Sequence, residues 1–360
     1  MQTTEPIPFY AKTALILLGT ALVITLLYIG EIIIVPLIFA LFAAIVLNPV
    51  VNYLTRRKIP RIISIFIGVF IAFIVTGAIL FFIGLQISMF SKTYPQLKQK
   101  FTQTSDEAIA WGSSKFNIDP VKITEWVDNE KAEALKYATG NMGNTLLTIG
   151  NFMVLVFLIP VYIFLILYYK SLLLEFIRKL FAVEHHKTVV DVLERVKGII
   201  QSYLVGLLIE GAIVAVMNSI GLLILGVEYA IILGITGAIL NVIPYIGGFA
   251  AIALPMVIAY VTKGATSAVL VLLVYMVIQF IDNHYLVPYI VASKVKVNAL
   301  IAIVVVLIGD LLWGVPGMFL SIPLIALVKV IFDHIDQLKP FGFLLGDSMP
   351  AYIRLPFQKK

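Results

Sequence analysis

The sequence predicts an all-α membrane protein with about six full transmembrane helices and two broken helical hairpins. Of its 360 residues, 61% are hydrophobic and only 13% are charged, with a mean hydropathy of +1.04. Soluble domains carry about 25% charged residues. Long apolar segments recur along the chain, and a bilayer core of about 30 Å needs roughly 20 apolar residues in a helix. Most of the chain is therefore expected to lie in lipid.

Six apolar segments are candidates for full spans. The first is too long for a secretory signal and no small-residue cleavage site follows it, so we expect a retained anchor. The second segment is short and is bounded by Glu31 and the Asn48-Pro49 pair. The predicted spans are residues 12–29, 32–47, 62–87, 146–169, 199–225 and 265–281.

Two further apolar regions, residues 229–261 and 299–331, are interrupted near their middles. The first contains Asn-Val-Ile-Pro-Tyr-Ile-Gly-Gly at 241–248, and the second contains Asp-Leu-Leu-Trp-Gly-Val-Pro-Gly at 310–317. Each arm has about 15 residues, or about 23 Å of helix, which suits a re-entrant hairpin better than a full span. Paired breaks of this kind point to the binding site of a transporter. Eight to ten full spans remain the alternative.

The loop charges predict the orientation of the chain. Arg56, Arg57, Lys58 and Arg61 cluster between the second and third spans without an acid among them, which indicates a cytoplasmic loop. On this basis both termini are cytoplasmic, and each hairpin follows a full span with the opposite orientation in the two copies. Such an inverted repeat is typical of secondary transporters.

Composition and charge also predict the domain organisation. The polar stretch at 89–145 balances seven lysines against seven acids and is expected to be a small helical extracytoplasmic subdomain. Mixed charge with apolar residues at helical spacing across 172–197 predicts an amphipathic helix along the cytoplasmic face, with a plain helical linker as the alternative. The predicted domains are N-terminal helices 1–88, the subdomain 89–145, a span and amphipathic helix 146–198, an inverted-repeat core 199–333 and a cytoplasmic tail 334–360.

Ionisable residues inside a membrane are costly and are functional candidates by default. Asp310 is the sharpest candidate, because it precedes the Trp-Gly break in an apolar run. It could bind a cation, a proton or a solute hydroxyl, or it could cap the broken helix or pair with a lysine. Glu210 could be a proton site or could pair with a neighbour. Asp282 and His284 follow the last full span.

Polar side chains complete the candidate binding set. Asn241 occupies the position in the first hairpin that Asp310 occupies in the second, where it could bind solute or satisfy loose carbonyl groups. Gln279 shares a helix face with Asp282 or Asn283, a pattern that also fits a simple interfacial helix end.

The hairpin tips are expected to act through their backbones and to gate the site, because glycine permits close approach and proline frees a carbonyl group. Ordinary helix ends are the alternative. The tip residues are Pro244, Tyr245, Gly247, Gly248, Trp313, Gly314, Pro316 and Gly317.

Several functional classes lack support in the sequence. The chain contains no cysteine, and the adjacent His185 and His186 do not share a helix face, so no metal site is predicted. Recognisable enzyme motifs and phosphate-binding loops are absent, so we expect neither an enzyme nor a bound cofactor. The net charge of +6 is small and indicates topology rather than nucleic-acid binding.

An ordered set of motifs resembles the autoinducer-2 exporter family of bacterial membrane proteins. The similarity spans most of the chain and is strongest between residues 201 and 323. The motifs are Gln201-Ser-Tyr-Leu204, Leu225-Gly226, Pro244-Tyr245-Ile246-Gly247, Gln279-x-x-Asp-Asn283 with Leu286-Val-Pro288, and Trp313-Gly-Val-Pro-Gly-Met-Phe-Leu-Ser-Ile-Pro323.

The resemblance implies an inner-membrane carrier, a homo-oligomer with five copies as one suggestion, that exports small polar solutes such as the furanosyl signal autoinducer-2. The chain departs from the family pattern at Val297-Asn298-Ala299, where Leu-His-Pro is frequent. It also has Asp310 where a small residue often follows Gly309. The extra acid keeps ion coupling open.

The leading hypothesis is therefore a secondary transporter or facilitator that works by alternating access, with its site near the midplane between the hairpin tips. A sodium/proton antiporter that uses Asp310, Asp282 and Glu210 is the first alternative. A non-transporting membrane scaffold that uses the extracytoplasmic subdomain is the second.

Overall fold

The computed structural model describes residues 8–116, 157–243, 247–291 and 296–347. Within these ranges the regular structure is helical, apart from one isolated backbone bridge between Val297 and Gly346. In chain order the helices are α1 Phe9–Ile29, α2 Glu31–Arg56, α3 Arg61–Phe116, α4 Phe157–Tyr168, α5 Lys170–Lys179, α6 His186–Ile224, α7 Ala230–Asn241, α8 Gly247–Lys263, α9 Ala265–Ile281, α10 Ala299–His334 and α11 Lys339–Leu345.

Six helical segments in the described ranges are long and apolar enough to cross a membrane, and α4 with α5, bent by 66°, would make a seventh. The outer faces of these helices are apolar, and α1 has no buried residue although its sequence is almost entirely hydrophobic. Apolar surface of this kind is expected where lipid replaces water. The predicted class, an all-α membrane protein, is confirmed.

The predicted spans coincide with α1, α2, the first part of α3, α6 and α9. The remaining predicted span, 146–169, is described only from α4 onward, and its first eleven residues lie outside the described ranges. Helix α3 continues without interruption to Phe116 and so passes through the predicted boundary at 88/89. The rest of the predicted subdomain, from residue 117, lies outside the described residues, as does the tail beyond 347.

The predicted amphipathic helix at 172–197 is divided in the structure. Helix α5 ends at Lys179, a short 3-10 turn covers Val183–His185, and α6 then begins at His186. Neither glycine nor proline marks this break. The apolar spacing of the two parts therefore looked like that of one helix.

The chain divides into two compact units. Unit one comprises residues 1–65, 162–206 and 291–360, and unit two comprises residues 66–161 and 207–290. The core of unit one is Val35, Phe42, Ile200, Trp313 and Leu320. The core of unit two includes Leu222, Leu233, Ile258, Val271 and Tyr275.

The second broken segment folds back on itself in unit one. Trp313 and Gly314 leave the helical conformation inside α10, and Gly314 has φ 59° and ψ −143°, which suits glycine. Gly309 and Gly317 lie directly against each other, so that a Cβ atom on either would overlap the carbonyl oxygen of the other. In an unbroken helix these residues would be about 12 Å apart. The contact therefore requires a reversal of the chain.

The first broken segment also forms a helical hairpin, in unit two. Helices α7 and α8 pack along each other, and Gly247 lies against the backbone of Leu240 and Asn241. The twelve residues of α7 extend about 18 Å, too little to cross a bilayer core. Re-entry into the membrane remains a prediction for both hairpins.

We expect the Gly309→Ala substitution to destabilise the α10 hairpin. The added methyl group would overlap the Gly317 carbonyl group and the Ser321 hydroxyl group, and overpacking of this kind costs about 1–3 kcal/mol. Unfolding in mixed detergent micelles, followed by circular dichroism, would measure the loss. The matched control is Gly19→Ala on α1, where no atom lies within 4 Å of the new methyl group. Equal stability of the two variants would contradict the close packing.

Candidate solute and ion site

Two carboxyl groups meet in the interior of unit two. Glu210 lies on α6 and is 4% exposed, and Asp282, which directly follows α9, is 1% exposed. The carboxyl group of Glu210 lies near that of Asp282, close enough for the two groups to interact electrostatically. Because two neighbouring ionised carboxylates repel each other when they are buried, the arrangement favours a shared proton or a bound cation.

Asn241, the last residue of α7, lies beside these two acids. We refer to Glu210, Asp282 and Asn241 together as the acid cluster. The Asn241 amide group donates a hydrogen bond of 2.8 Å to Asp282 Oδ2. The second oxygen, Asp282 Oδ1, is buried and has no hydrogen-bond partner among the described residues. A carboxylate only accepts hydrogen bonds. The cluster therefore contains one open acceptor, Asp282 Oδ1.

Local sequence explains how these elements end where they do. Helix α7 ends at Asn241, three residues before Pro244, which cannot donate a backbone hydrogen bond. Helix α9 widens into a π-helix, Asp282–Val291, that contains Pro288. Short π-helical stretches are frequent at functional sites. The wide turn starts at the acid that faces Glu210.

Gln279 extends this cluster to the start of α8. A Cβ atom on Gly248 would lie 3.1 Å from Gln279 Oε1, so the glutamine approaches the backbone at the hairpin tip. Asn283 and His284 are exposed, and His284 Nδ1 lies 3.0 Å from the Phe280 carbonyl oxygen. Of the predicted helix-face set, Gln279 and Asp282 join the hairpin and Asn283 does not.

Unit two contains a second set of buried polar side chains, which the sequence patterns did not predict as candidates. Asn218 Oδ1, Thr236 Oγ1 and Tyr275 Oη are buried and lack a hydrogen-bond partner among the described residues. Gly237 allows two of them to approach α7, because its Cβ position is 3.2 Å from Tyr275 Oη and 3.3 Å from Asn218 Nδ2. The available signal was spacing: Asn218 lies eight residues after Glu210, and Tyr275 lies seven residues before Asp282.

The remaining candidate residues either belong to unit one or lie outside the residues that the structure describes. Asp310 is exposed on α10. Trp313 is buried, and its indole Nε1 donates a hydrogen bond of 2.9 Å to the Leu27 carbonyl oxygen, which anchors the break to α1. Gly314 and Gly317 shape the turn, and Pro316 is exposed. Pro244 and Tyr245 fall outside the described residues.

The described residues contain no group of three or more histidine, cysteine or acidic side chains that could hold a metal ion. The acid cluster of Glu210, Asp282 and Asn241 can instead exchange a proton, bind a monovalent cation through its oxygens or accept a hydrogen bond from a hydroxyl group. Ionisable groups are costly to place inside a membrane, so their presence there marks them as candidates for function.

A multi-pass helical chain with glycine-broken hairpins and a buried acid cluster has the organisation of a membrane transport protein. The AI-2E family transporter model matches residues 16–337. The chain belongs to this family and is a membrane transporter of the AI-2E type.

Curated relatives cover nearly the whole chain at low identity. “Putative transport protein YhhT” of Escherichia coli (strain K12) is 24% identical over 99% of this chain and 100% of its own length. “AI-2 transport protein TqsA” of the same organism is 26% identical over 88% of this chain and 90% of its own length. “Putative transport protein YueF” of Bacillus subtilis (strain 168) is 25% identical, with 84% of each chain covered.

We expect Asn241→Leu to destabilise unit two, because it removes the only side-chain hydrogen bond described for Asp282 Oδ2. An unsatisfied buried acceptor costs about 1–3 kcal/mol. Denaturant unfolding of the purified protein would measure this loss. Asn283→Leu, an equal change at an exposed position of the adjoining π-helix, should alter stability by no more than about 0.5 kcal/mol. A loss as large at 283 as at 241 would contradict the assignment.

Proposed function

We propose that this chain is a secondary transporter that exports a small polar solute, with autoinducer-2 as the first candidate. Family membership supports the transport role, and the relative named as an AI-2 transport protein supports the solute, at 26% identity. The charge pattern and the resemblance also support the inner membrane, cytoplasmic termini and a homo-oligomer.

The acid cluster is the observation that carries this proposal. Asp282 Oδ1 is a buried acceptor without a donor among the described residues, and the carboxyl group of Glu210 lies near that of Asp282. In this proposal, a proton shared by Glu210 and Asp282 satisfies the open acceptor when no solute is bound. A solute hydroxyl group, or a coupling cation, satisfies it when the proton leaves. Exchange between these occupants would couple the solute to protons or sodium.

The α7–α8 hairpin is the proposed gate of this cluster. Asn241 ends the first arm and bonds Asp282, while Gly248 begins the second arm against Gln279. Any movement of the hairpin tip away from α9 therefore breaks contacts with both polar side chains. In this scheme the hairpin opens when the state of Asp282 changes, which is one way to achieve alternating access.

A sodium/proton antiporter without an organic solute is the second candidate function. The same observation favours it, because carboxylate and amide oxygens of Glu210, Asp282 and Asn241 can serve as hard ligands for a monovalent cation. In this case the open acceptor on Asp282 receives sodium and releases the shared proton.

Flux in sealed proteoliposomes separates the two functions. The vesicles would hold autoinducer-2 or one of a panel of small polyols, with a pH-sensitive dye inside and imposed pH or sodium gradients. Solute efflux that depends on a gradient supports the solute exporter with coupling. Sodium-driven proton movement in the absence of any organic solute supports the antiporter. Vesicles without protein report leakage.

We expect Asp282→Asn and Glu210→Gln each to abolish the dependence of transport on a pH gradient, because neither leaves two carboxyl groups to share a proton. Proteoliposome flux measured across a pH series tests this result. The matched control is Glu228→Gln, an exposed acid in the same unit, which should retain the dependence. Asp310→Asn tests Asp310, one of the exposed acids of unit one. Wild-type pH dependence in both acid-cluster variants would overturn the coupling scheme.

Tyr275→Phe should separate stability from transport. The phenol oxygen has no partner among the described residues, so its removal breaks no protein hydrogen bond and should leave unfolding unchanged or slightly improved. If the hydroxyl group binds solute, the apparent affinity in flux assays should fall by about fivefold, the value of one hydrogen bond. Val274→Ala, on the neighbouring position of α9, controls for packing. Unchanged affinity would remove Tyr275 from the solute path.

A further inference from the structure

A polar cavity of about 250 Å³ lies in unit one, where α2 ends, α3 begins and the chain bends between α4 and α5. Its lining includes two cationic side chains and several neutral polar ones, and none of the described residues that line it carries a carboxyl group. The polar lining residues are Asn48, Asn52, Thr55, Arg61, Lys170 and Ser171.

The two cations are held in place by neutral partners. Lys170 Nζ donates a hydrogen bond of 2.9 Å to the side chain of Asn48, and Arg61 Nη2 donates one of 3.0 Å to the Leu167 carbonyl oxygen. Neither residue takes part in the ion pairs described for the chain. Most donor groups of the guanidinium and ammonium groups therefore remain available to a ligand.

The electrostatics of this cavity are positive. Burial lowers the pKa of Lys170, which follows the bend after α4, and the neighbouring charges of Lys197 and Arg61 lower it further. The first turn of α5 adds to this field, because its N-cap residue, Tyr169, provides no side-chain hydrogen bond to the free backbone N–H groups. An anion in the cavity would relieve the repulsion.

We propose that this cavity binds a phosphate group. A guanidinium fork, an ammonium group and hydroxyl and amide donors are a combination that matches phosphate oxygens. Basic pockets between membrane helices on the cytoplasmic side bind anionic lipid headgroups, and the adjacent cluster Arg56, Arg57 and Lys58 predicts that side for this end of unit one. A phospholipid headgroup and a free phosphate ion share the same chemistry.

Occupation of the site would connect three helices. Arg61 begins α3, Lys170 begins α5, and Asn48 lies near the end of α2. A phosphate that contacts these side chains would hold the 66° bend between α4 and α5 against α2. The bound anion should therefore stabilise unit one, whatever solute the transporter moves.

The test measures binding to the purified full-length protein. Three probes are used: short-chain phosphatidylglycerol, the matched phosphatidylcholine, and inorganic phosphate. We expect phosphatidylglycerol, inorganic phosphate or both to bind and to raise the melting temperature. The double variant Arg61→Gln with Lys170→Gln should bind at least about tenfold more weakly, because it loses two charge-assisted contacts. The control is Lys179→Gln, an exposed lysine on the same helix α5, which should bind like the wild type.

The probes identify the source of the phosphate. Binding of phosphatidylglycerol alone indicates a lipid headgroup, and binding of inorganic phosphate indicates a soluble ion. If neither phosphatidylglycerol nor inorganic phosphate binds the wild type, the proposal is overturned. Equal weakening in the Lys179 variant and the double variant also overturns it, because this result indicates general attraction to a basic helix.

A second measurement needs no variant. Amine acetylation of the wild-type protein, quantified by mass spectrometry, compares Lys170 with Lys179 in the presence and absence of the binding probe. Protection of Lys170 by fivefold or more (about 1 kcal/mol), with Lys179 unchanged, supports the site. Equal protection of both lysines, or of neither, refutes it even if the double variant fails to fold.

Discussion

The close approach of helices around the acid cluster is the constraint on which unit two depends. Glu210 and Asp282 can be buried only if a proton, a cation or a donor such as Asn241 compensates each oxygen. Small residues make this approach possible: a Cβ atom on Gly234 would overlap Ser219, and one on Gly237 would press on Tyr275. In lipid, where no hydrophobic force drives helices together, small residues and polar contacts hold them.

Close approach at glycine residues also shapes unit one, where it produces a reversal of the chain instead of a cluster of acids. There the glycines serve a reversal of the chain, in which Gly309 meets Gly317 and Gly314 takes a positive φ. The indole N–H of Trp313 reaches the Leu27 carbonyl oxygen and fixes the break against α1. Thus one hairpin brings an amide to a pair of acids, whereas the other carries an exposed Asp310. The two sequence motifs are alike, but their surroundings differ.

The spans and the breaks could be predicted because they follow from local rules: apolar length sets a transmembrane helix, and glycine with proline interrupts it. Glu210, Asp282 and Asn241 were each identified as candidates, yet their meeting was not, because it depends on the packing of α6, α7 and α9. The unpartnered Asn218 and Tyr275 were missed for the same reason. A polar residue in an apolar helix has no visible partner in a sequence.

The backbone around Asp282 differs from that around Glu210, because Asp282 lies at the junction of α9 and the π-helix. Pro288 lacks an N–H group and so prevents the regular hydrogen-bond pattern from continuing through this segment. The carboxyl group of Asp282 is therefore attached to the first residue of the π-helix that follows α9, while Glu210 lies within the uninterrupted helix α6. Of the two acids, Asp282 is therefore the one that lies where the α-helical hydrogen-bond pattern changes.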